Sequence, residues 1–504
     1  MKYPITVTAD GFALRRPRAA ASLIASDALR FARRHWGLLT ALLITIAVHA
    51  PTLRYFFGGD DFVVLGDIQM RGNLQYLIDT VRMQDLVPNW RPLMGLVYVV
   101  EWRAFGLNAM PWRIVNLIVH LSSMVLLYAL VARVTKRPAI GAVSALIFGI
   151  SGSHFDTVTY ITALPHVLAM FFVLGSLLAM VAYADDGERD PRAFALSFVL
   201  FALGFLANEG SFVFAPVVVV AYMVYSRRWW RAPQRLLLHA APFTALAAGW
   251  TGFYETCTCP QLKFDGYTWG PHVFSNYAVY LSFMAYPAKA IPHDPDTLRW
   301  VIAGAVIVAS LAVAARGPKI ALVAVPGIAL ALLPFVPVKI WTASRYTYSA
   351  VAFFAPLAAI AAYAVYERLR GVHRWARLPV NVLALVFVAA VAALYGWQTY
   401  ARDTQSGRET ARWRLLVDEL RANYPTVPPG TTIYIVDGLW TNPMEQYTWV
   451  PGVARALYGD AVAFDLTAQA YAEGQQPPGR NALYLRWTPE GLRPIGAEQV
   501  IAGR

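Results

Sequence analysis

Charge is scarce in this chain. Asp, Glu, Lys and Arg make up 14% of its 504 residues, against roughly 25% in an average soluble domain, and that shortage excludes an ordinary water-soluble globule. Cysteine is scarcer still. The only two, Cys257 and Cys259, stand one residue apart, where a disulfide would close a very small ring, and they read as incidental. No duplicated halves are visible. What the chain has in abundance is apolar surface: 57% of residues are hydrophobic, 13% are aromatic, and the mean hydropathy is +0.45. Disordered and fibrous chains carry far less. This composition belongs in a bilayer.

The net charge of +13 would suggest a nucleic-acid partner if it were gathered on one face. It is not. Of the 43 basic residues, 22 lie in six short polar strips, 1–35, 131–138, 183–193, 226–235, 316–319 and 367–377, with only 7 of the 30 acidic residues. The rest of the chain is close to neutral, so the excess is topological and no nucleic acid is expected. The positive-inside bias sets these strips, and the N-terminus, in the cytoplasm. The long basic stretch from Arg15 to Arg34, with no small-residue cleavage site after the apolar run, reads as an uncleaved anchor.

A spanning helix needs about 20 mostly apolar residues. Candidates lie near 36–55, 112–131, 139–153, 161–182, 193–207, 211–225, 236–253, 299–315, 320–338, 346–366 and 378–397. About eleven spans put the C-terminus opposite the N-terminus. The expected fold class is therefore a polytopic α-helical membrane protein with a small extracytoplasmic α/β domain at its C-terminus. Its organisation is a basic cytoplasmic N-terminus (1–35), a transmembrane domain (36–397) with large outer loops at 56–111 and 254–298, and a C-terminal domain (398–504). Leu74, Leu77, Ile78 and Val81 give the first loop an amphipathic helix. A short apolar piece at 277–286 is expected at the membrane interface. The C-terminal region opens with a helical pattern (Trp413, Leu416, Val417, Leu420), followed by strand-like 432–436 and 482–485.

Ionisable groups in or at the mouth of a membrane bundle are costly, and so mark function. Here they gather on one side: Asp60 and Asp61 after the first span, His154 and Asp156 after the third, Glu209 after the fifth, Lys339 and Arg345 after the ninth. Spans that bundle would bring them around one outward-facing cavity. Two adjacent carboxylates after Gly58-Gly59 could hold a metal, cap a helix, or supply a general base with its neighbour positioning it. A donor whose leaving group is already a phosphate needs no general acid, so one carboxylate suffices. Glycoside hydrolysis generally needs a pair. The phosphate still needs positive charge, which Arg345 can supply as a bidentate clamp. Asn116 and His120, four apart on the second span, suit interhelical hydrogen bonds. His166 faces either the cavity or a neighbouring carbonyl. His49 and His239 read as structural, and His293, Asp294 and Asp296 as a solvated turn.

The run Asn89-Trp90-Arg91-Pro92-Leu93, then Phe105-Gly106-Leu107-Asn108, Pro111-Trp112 and Asn116 to His120, resembles the transmembrane TPR-containing O-mannosyltransferases of the GT-C superfamily. Asp60-Asp61, the His154, Asp156 and Val158 pattern, Glu209, and Arg345 with Tyr348 are similar to further family positions, so the likeness covers about 60–350. It implies a GT-C-like transmembrane domain and an inverting glycosyltransferase. Asp60 is the implied base and Asp61 the alternative, while Arg345, Lys339, His166, His154, Asp156, Glu209, Arg91 and Tyr348 bind donor phosphate or substrate. No cofactor and no metal site is implied, a divalent cation being left open. There are departures: Asn208 stands where the family has Lys, Leu164 where it has Arg, and His166 where it has Asp. The TPR array is absent and the C-terminal domain differs.

The expected activity moves a sugar from a polyprenyl-phosphate-linked donor to a hydroxyl acceptor on a glycan, lipid or protein. It would take place on the periplasmic side of a bacterial inner membrane, the lipid tail entering between late spans. Two rivals are a transporter or flippase, which expects mid-bilayer polar residues and often duplicated halves, and a polymerase or ligase of lipid-linked glycans, which would rely on basic cavity residues without the early acidic pair.

Overall fold

The computed structural model describes residues 17–84, 89–226, 228–256, 266–285, 296–339, 342–372, 377–436, 449–465, 482–488 and 491–496. Cys257, Cys259, His293 and Asp294 lie outside the described residues, as does the side chain of Asp296. Helix α1 (Pro17–His49) breaks at His35 (φ −117°), where the basic strip gives way to the apolar run. The first long loop carries α2 (Asp60–Arg71), α3 (Asn73–Arg82) and α4 (Pro92–Phe105). Then come α5 (Ala109–Thr135), α6 (Pro138–Gly149), the short α7 (Phe155–Thr159), α8 (Leu164–Asp185), α9 (Pro191–Ala207), α10 (Ala215–Tyr225) and α11 (Pro233–Thr256). They are followed by α12 (His272–Ala285), α13 (Asp296–Arg316), α14 (Ile320–Leu332), α15 (Tyr348–Val372) and α16 (Arg377–Asn423).

Proline stands in the first two positions of α4, α6, α8, α9 and α10, where its missing N–H costs nothing and its φ is already helical. The side chains of Asn108 and Asp190 cap α5 and α9. Among the described residues, seven helical stretches are long and apolar enough to cross a membrane, and four shorter apolar ones stand where the other spans were expected. The protein is a multi-pass helical membrane protein. Span α8 is its axis, 72% buried along its most apolar stretch against 17% for α13. Small residues allow close helix contact: a Cβ on Gly141 of α6 would lie 2.9 Å from the Tyr128 carbonyl of α5.

Helix α3 forms where the spacing predicts, with polar residues on its most buried face. Its apolar stripe is split, Leu74 and Val81 being exposed and Leu77 and Ile78 half-buried, while Tyr76, Asp79 and Thr80 are buried. Asp79 accepts from Arg71 Nη1 at 2.7 Å and from Gln75 Nε2 at 2.7 Å. Exposed apolar residues on a short helix suit a membrane boundary, where the protein side can hold the paired charges. The piece expected at the interface is part of α12. Its Asn276 Nδ2 bonds the Val336 and Val338 carbonyls at 2.9 and 2.8 Å, and Tyr280 is fully buried, so this helix is built into the bundle.

The boundary expected at 397/398 falls inside α16, which runs unbroken into the C-terminal lobe because no proline separates the apolar run from the Trp413 to Leu420 pattern. Trp413, Leu416, Val417 and Leu420 are all buried. Beyond them, β1 (Thr431–Val436), helix α17 (Val450–Tyr458), β2 (Val462–Asp465), β3 (Ala482–Thr488) and β4 (Gly491–Pro494) form a four-stranded sheet of order β2-β1-β3-β4. β1 runs parallel to both neighbours, with Ile433 opposite Phe464 and Leu483, and β4 is antiparallel to β3. Two glycines dock this lobe on the first loop. A Cβ on Gly452 of α17 would lie 2.7 Å from the Phe62 backbone, and one on Gly66 of α2 would lie 2.6 Å from the Gly452 carbonyl. The two helices cross nearly backbone to backbone.

Candidate functional site

The acidic pair opens α2, where the helix N-terminus favours negative charge. Gly59 before it has φ +52°, and a Cβ there would collide with the Tyr160 hydroxyl and lie 3.3 Å from the Trp449 ring. Only glycine fits that crowded, left-handed turn. The two aspartates then point opposite ways. Asp61 is 1% exposed: its Oδ2 accepts from the Gly58 N–H at 3.1 Å, its Oδ1 from the Thr162 N–H at 3.0 Å and the Thr162 hydroxyl at 3.1 Å. Asp60 is half-buried, and its Oδ1 accepts from Trp449 Nε1 at 2.8 Å.

Arg113 explains why this turn meets the loop before α8. Buried on α5, it donates to the carbonyls of Tyr55 and Phe56 on one side and of Thr159 on the other. One turn further along the same face, Asn116 Nδ2 bonds the Tyr160 carbonyl at 3.1 Å. The chain leading to the dyad and the chain carrying Tyr160 are thus stapled to one helix.

Burial pushes the Asp61 carboxyl up to about 6, against the Arg113 guanidinium and the bonds from Thr162 and Gly58, which favour the ionised form. The folded state therefore holds this proton more tightly than the unfolded chain, whose value is near 3.8. Stability from this group is fully present at low pH and falls as pH rises from about 4 to about 6, by on the order of 3 kcal/mol. The expected result is that the melting temperature in detergent, measured relative to that of Asp61→Asn, rises as pH is lowered from about 7 to about 5. A difference between the two proteins that does not change with pH contradicts this.

The cationic side of the site comes from late and middle elements. Arg345 sits in a 3-10 turn, Ser344–Thr347, leading into α15, and Thr157 Oγ1 bonds its carbonyl at 3.5 Å. Its guanidinium lies 5.8 Å from the Tyr346 ring centre, and Tyr346 stacks on Phe335 at 4.2 Å. The Tyr160 hydroxyl is raised well above its ordinary value by burial and by Asp61 and Asp60, with Arg345 opposing. The stretch from Thr157 to Thr162 thus meets the Arg345 turn at one end and the dyad turn at the other. His166 Nδ1 is 3.2 Å from Asn208 Nδ2, and its ring centre lies 6.1 Å from that of Tyr346, the residue after Arg345. Arg91 and Glu209 form a two-pronged ion pair, Nε to Oε2 at 2.8 Å and Nη2 to Oε1 at 3.2 Å. Contacts thus run from the dyad turn to Thr162, from Thr157 to the Arg345 turn, and from His166 to Asn208, the residue before Glu209 and its partner Arg91.

Of the other expected residues, two are packed in the interior and one is exposed. His154 is fully buried, 5.0 Å from the Phe148 ring and 4.6 Å from Tyr348. Tyr348 is also buried, its hydroxyl 2.8 Å from His120 Nδ1. Both belong to an interior cluster with His120 and His49, whose Nε2 atoms lie 3.1 and 3.3 Å from the Gly149 carbonyl. The Phe148 ring of α6 packs against both His154 and Tyr348. Lys339 is exposed and is held by its backbone N–H on the Gly266 carbonyl. Asp156 lies on α7, its side chain outside the described residues.

Sequence reasoning missed Arg113, Tyr160, Thr162 and Trp449. The glycine pair before Asp60 was the one available sign that something approaches that turn closely. Among the described residues, no three His, Cys, Asp or Glu side chains gather as metal ligands would.

Beside Arg91, an apolar groove of about 420 Å³ opens between α3, α9 and α11. Trp90 stacks on Trp250 in it, at 5.3 Å and 24°, with Phe205 against both.

Against this geometry, the family model described as dolichyl-phosphate-mannose-protein mannosyltransferase matches residues 92–250. No curated protein matches the chain. Among solved structures, ArnT from Cupriavidus metallidurans bound to undecaprenyl phosphate superposes with a TM-score of 0.51 at 14% identity, over 90% of this chain and 93% of that one. The Archaeoglobus fulgidus oligosaccharyltransferase, tethered to an acceptor peptide containing the NVT sequon, gives 0.48 at 13% identity, over 86% and 65%.

Proposed function

We propose that this chain, which has the fold of the GT-C glycosyltransferases, is an inverting enzyme that moves a sugar from a polyprenyl-phosphate donor to a hydroxyl on a glycan, lipid or protein. One observation carries the reading: the segment from Thr157 to Thr162 meets the acidic turn through Thr162 and, through Thr157, the turn that carries Arg345, 285 positions after Asp60. In the proposed step, Asp60 takes the acceptor's proton as its oxygen attacks the anomeric carbon. The bond from that carbon to the phosphate oxygen breaks, and its electron pair leaves with the phosphate. Attack opposite the leaving group inverts the carbon. Arg345, with His166 beside it, meets the charge gathering on the phosphate. Arg91 is held by Glu209 and follows Trp90, which lines the apolar groove.

That groove is the proposed seat of the lipid, since its stacked tryptophans offer a long apolar surface ending beside charge. It lies between the fifth and seventh spans, not between late ones. The undecaprenyl phosphate in the ArnT structure supports a lipid phosphate as ligand class. The segregation of basic strips supports a site facing the periplasm of a bacterial inner membrane. As written, the reaction uses side-chain charges and no metal.

The test incubates membranes containing the protein with a panel of radiolabelled polyprenyl-phosphate sugars and separates lipid, glycan and protein fractions. Label should leave the lipid from at least one donor and appear in one acceptor fraction. Label that stays on the lipid with every donor counts against the reading.

A further inference from the structure

We infer that Trp449, in the C-terminal lobe, is a positioning residue for Asp60, so that the active site is completed by a part of the chain that spans no membrane. The inference rests on the assignment of Asp60 as base. Trp449 lies 389 positions from Asp60, yet its indole N–H reaches Asp60 Oδ1 at 2.8 Å. The contact is built from both sides. A Cβ on Gly59, in its left-handed turn, would lie only 3.3 Å from the Trp449 ring, and Trp413 of α16 stands edge-on to that ring at 6.4 Å. The close crossing of Gly66 and Gly452 sets the height of α17 on α2, and hence where the residue before α17 can reach.

An indole has one donor and no acceptor, so it can engage one carboxylate oxygen and compete for no proton. Holding Oδ1 fixes the carboxylate's rotation and leaves Oδ2 as the oxygen for the acceptor hydroxyl. Asp61 shows what happens without such an outer partner: both of its oxygens are taken up by the fold. The lobe thus does more than cover the cavity. It sets the orientation of the base, and a base held loosely by about an ångström can lose up to a hundredfold in rate.

Trp449→Phe keeps the ring against Gly59 and Trp413 and removes only the N–H. Turnover at saturating donor and acceptor should fall about tenfold, with both KM values within twofold of the parent and an unchanged melting temperature and elution profile in detergent. A turnover within twofold of the parent, alongside an inactive Asp60→Asn protein, overturns the role of Trp449 and leaves the base assignment standing. Full activity of Asp60→Asn overturns the base assignment itself. Trp449→Ala serves as the packing control: if it alone is impaired while Trp449→Phe matches the parent, the indole only fills space.

Discussion

Asp60→Asn is expected to lower sugar transfer by about a thousandfold or more while leaving the protein folded and able to bind donor. The magnitude follows from what a positioned general base contributes, roughly 10²–10⁴ in rate. The specificity follows from geometry. Asn is the same size as Asp and still offers an oxygen to the Trp449 N–H. The turn at Gly59 and the docking of α17 should therefore persist, and what is lost is the capacity to accept the acceptor's proton. Donor binding, followed by equilibrium titration with labelled lipid-phosphate sugar, should be close to that of the parent. The neighbouring substitution separates chemistry from structure. Asp61→Asn leaves an amide where the Gly58 N–H, the Thr162 N–H and the Thr162 hydroxyl all donate, so one donor group must face another. It should act through stability first. An Asp60→Asn protein that turns over like the parent removes the proposed base.

The second large effect is expected at Arg345. Replacing it with Gln should cut turnover by about a hundredfold, the usual scale for removing a donor aimed at developing charge. Arg345→Lys should recover only part of this, because an ammonium lacks the flat fork that engages two phosphate oxygens. The effect should fall on turnover more than on donor affinity, since charge on the bridging oxygen grows as the bond breaks. Stability should change little: Arg345 is partly exposed, and the turn that carries it is held through backbone, by the Thr347 hydroxyl on the Ser344 carbonyl at 2.7 Å and Thr157 on the Arg345 carbonyl. Arg91 offers the contrast. Its guanidinium is neutralised by Glu209 across 2.8 Å with side chains only about a fifth exposed, so Arg91→Gln strands a carboxylate and should damage packing as well as activity.

The spans were legible because the bilayer demands about 20 apolar residues each time, and that demand leaves its mark whatever the packing. Even the shorter runs at 191–207 and 320–332 were placed to within a few residues. The orientation of helix faces was harder to read. Leu74 and Val81 signalled an amphipathic α3 correctly, yet a periodic pattern records contrast between faces without saying which one meets protein. Here the buried face carries Asp79, paired with Arg71 at the end of α2.

The same limit applies to the dyad. Adjacent residues on a helix diverge by about 100°, so one aspartate had to turn inward. Which one is decided by Thr162 and Arg113, far along the chain. His154 and Tyr348 match the family pattern in sequence, but Phe148 and His120 enclose them. Trp449 gave no sign at all: a tryptophan in a weakly patterned C-terminal stretch becomes meaningful only once Gly452 allows α17 to settle on α2.

The central claim is that Asp60 and Arg345 face one reacting sugar and that attack occurs opposite the departing phosphate. The most direct measurement is NMR of the product formed by purified protein from a synthetic polyprenyl-phosphate sugar of known anomeric configuration and a hydroxyl acceptor. A new glycosidic bond with the configuration inverted from the donor is the expected result. Retention of configuration, or a sugar that stays on its lipid and only changes leaflet in vesicles, would contradict it.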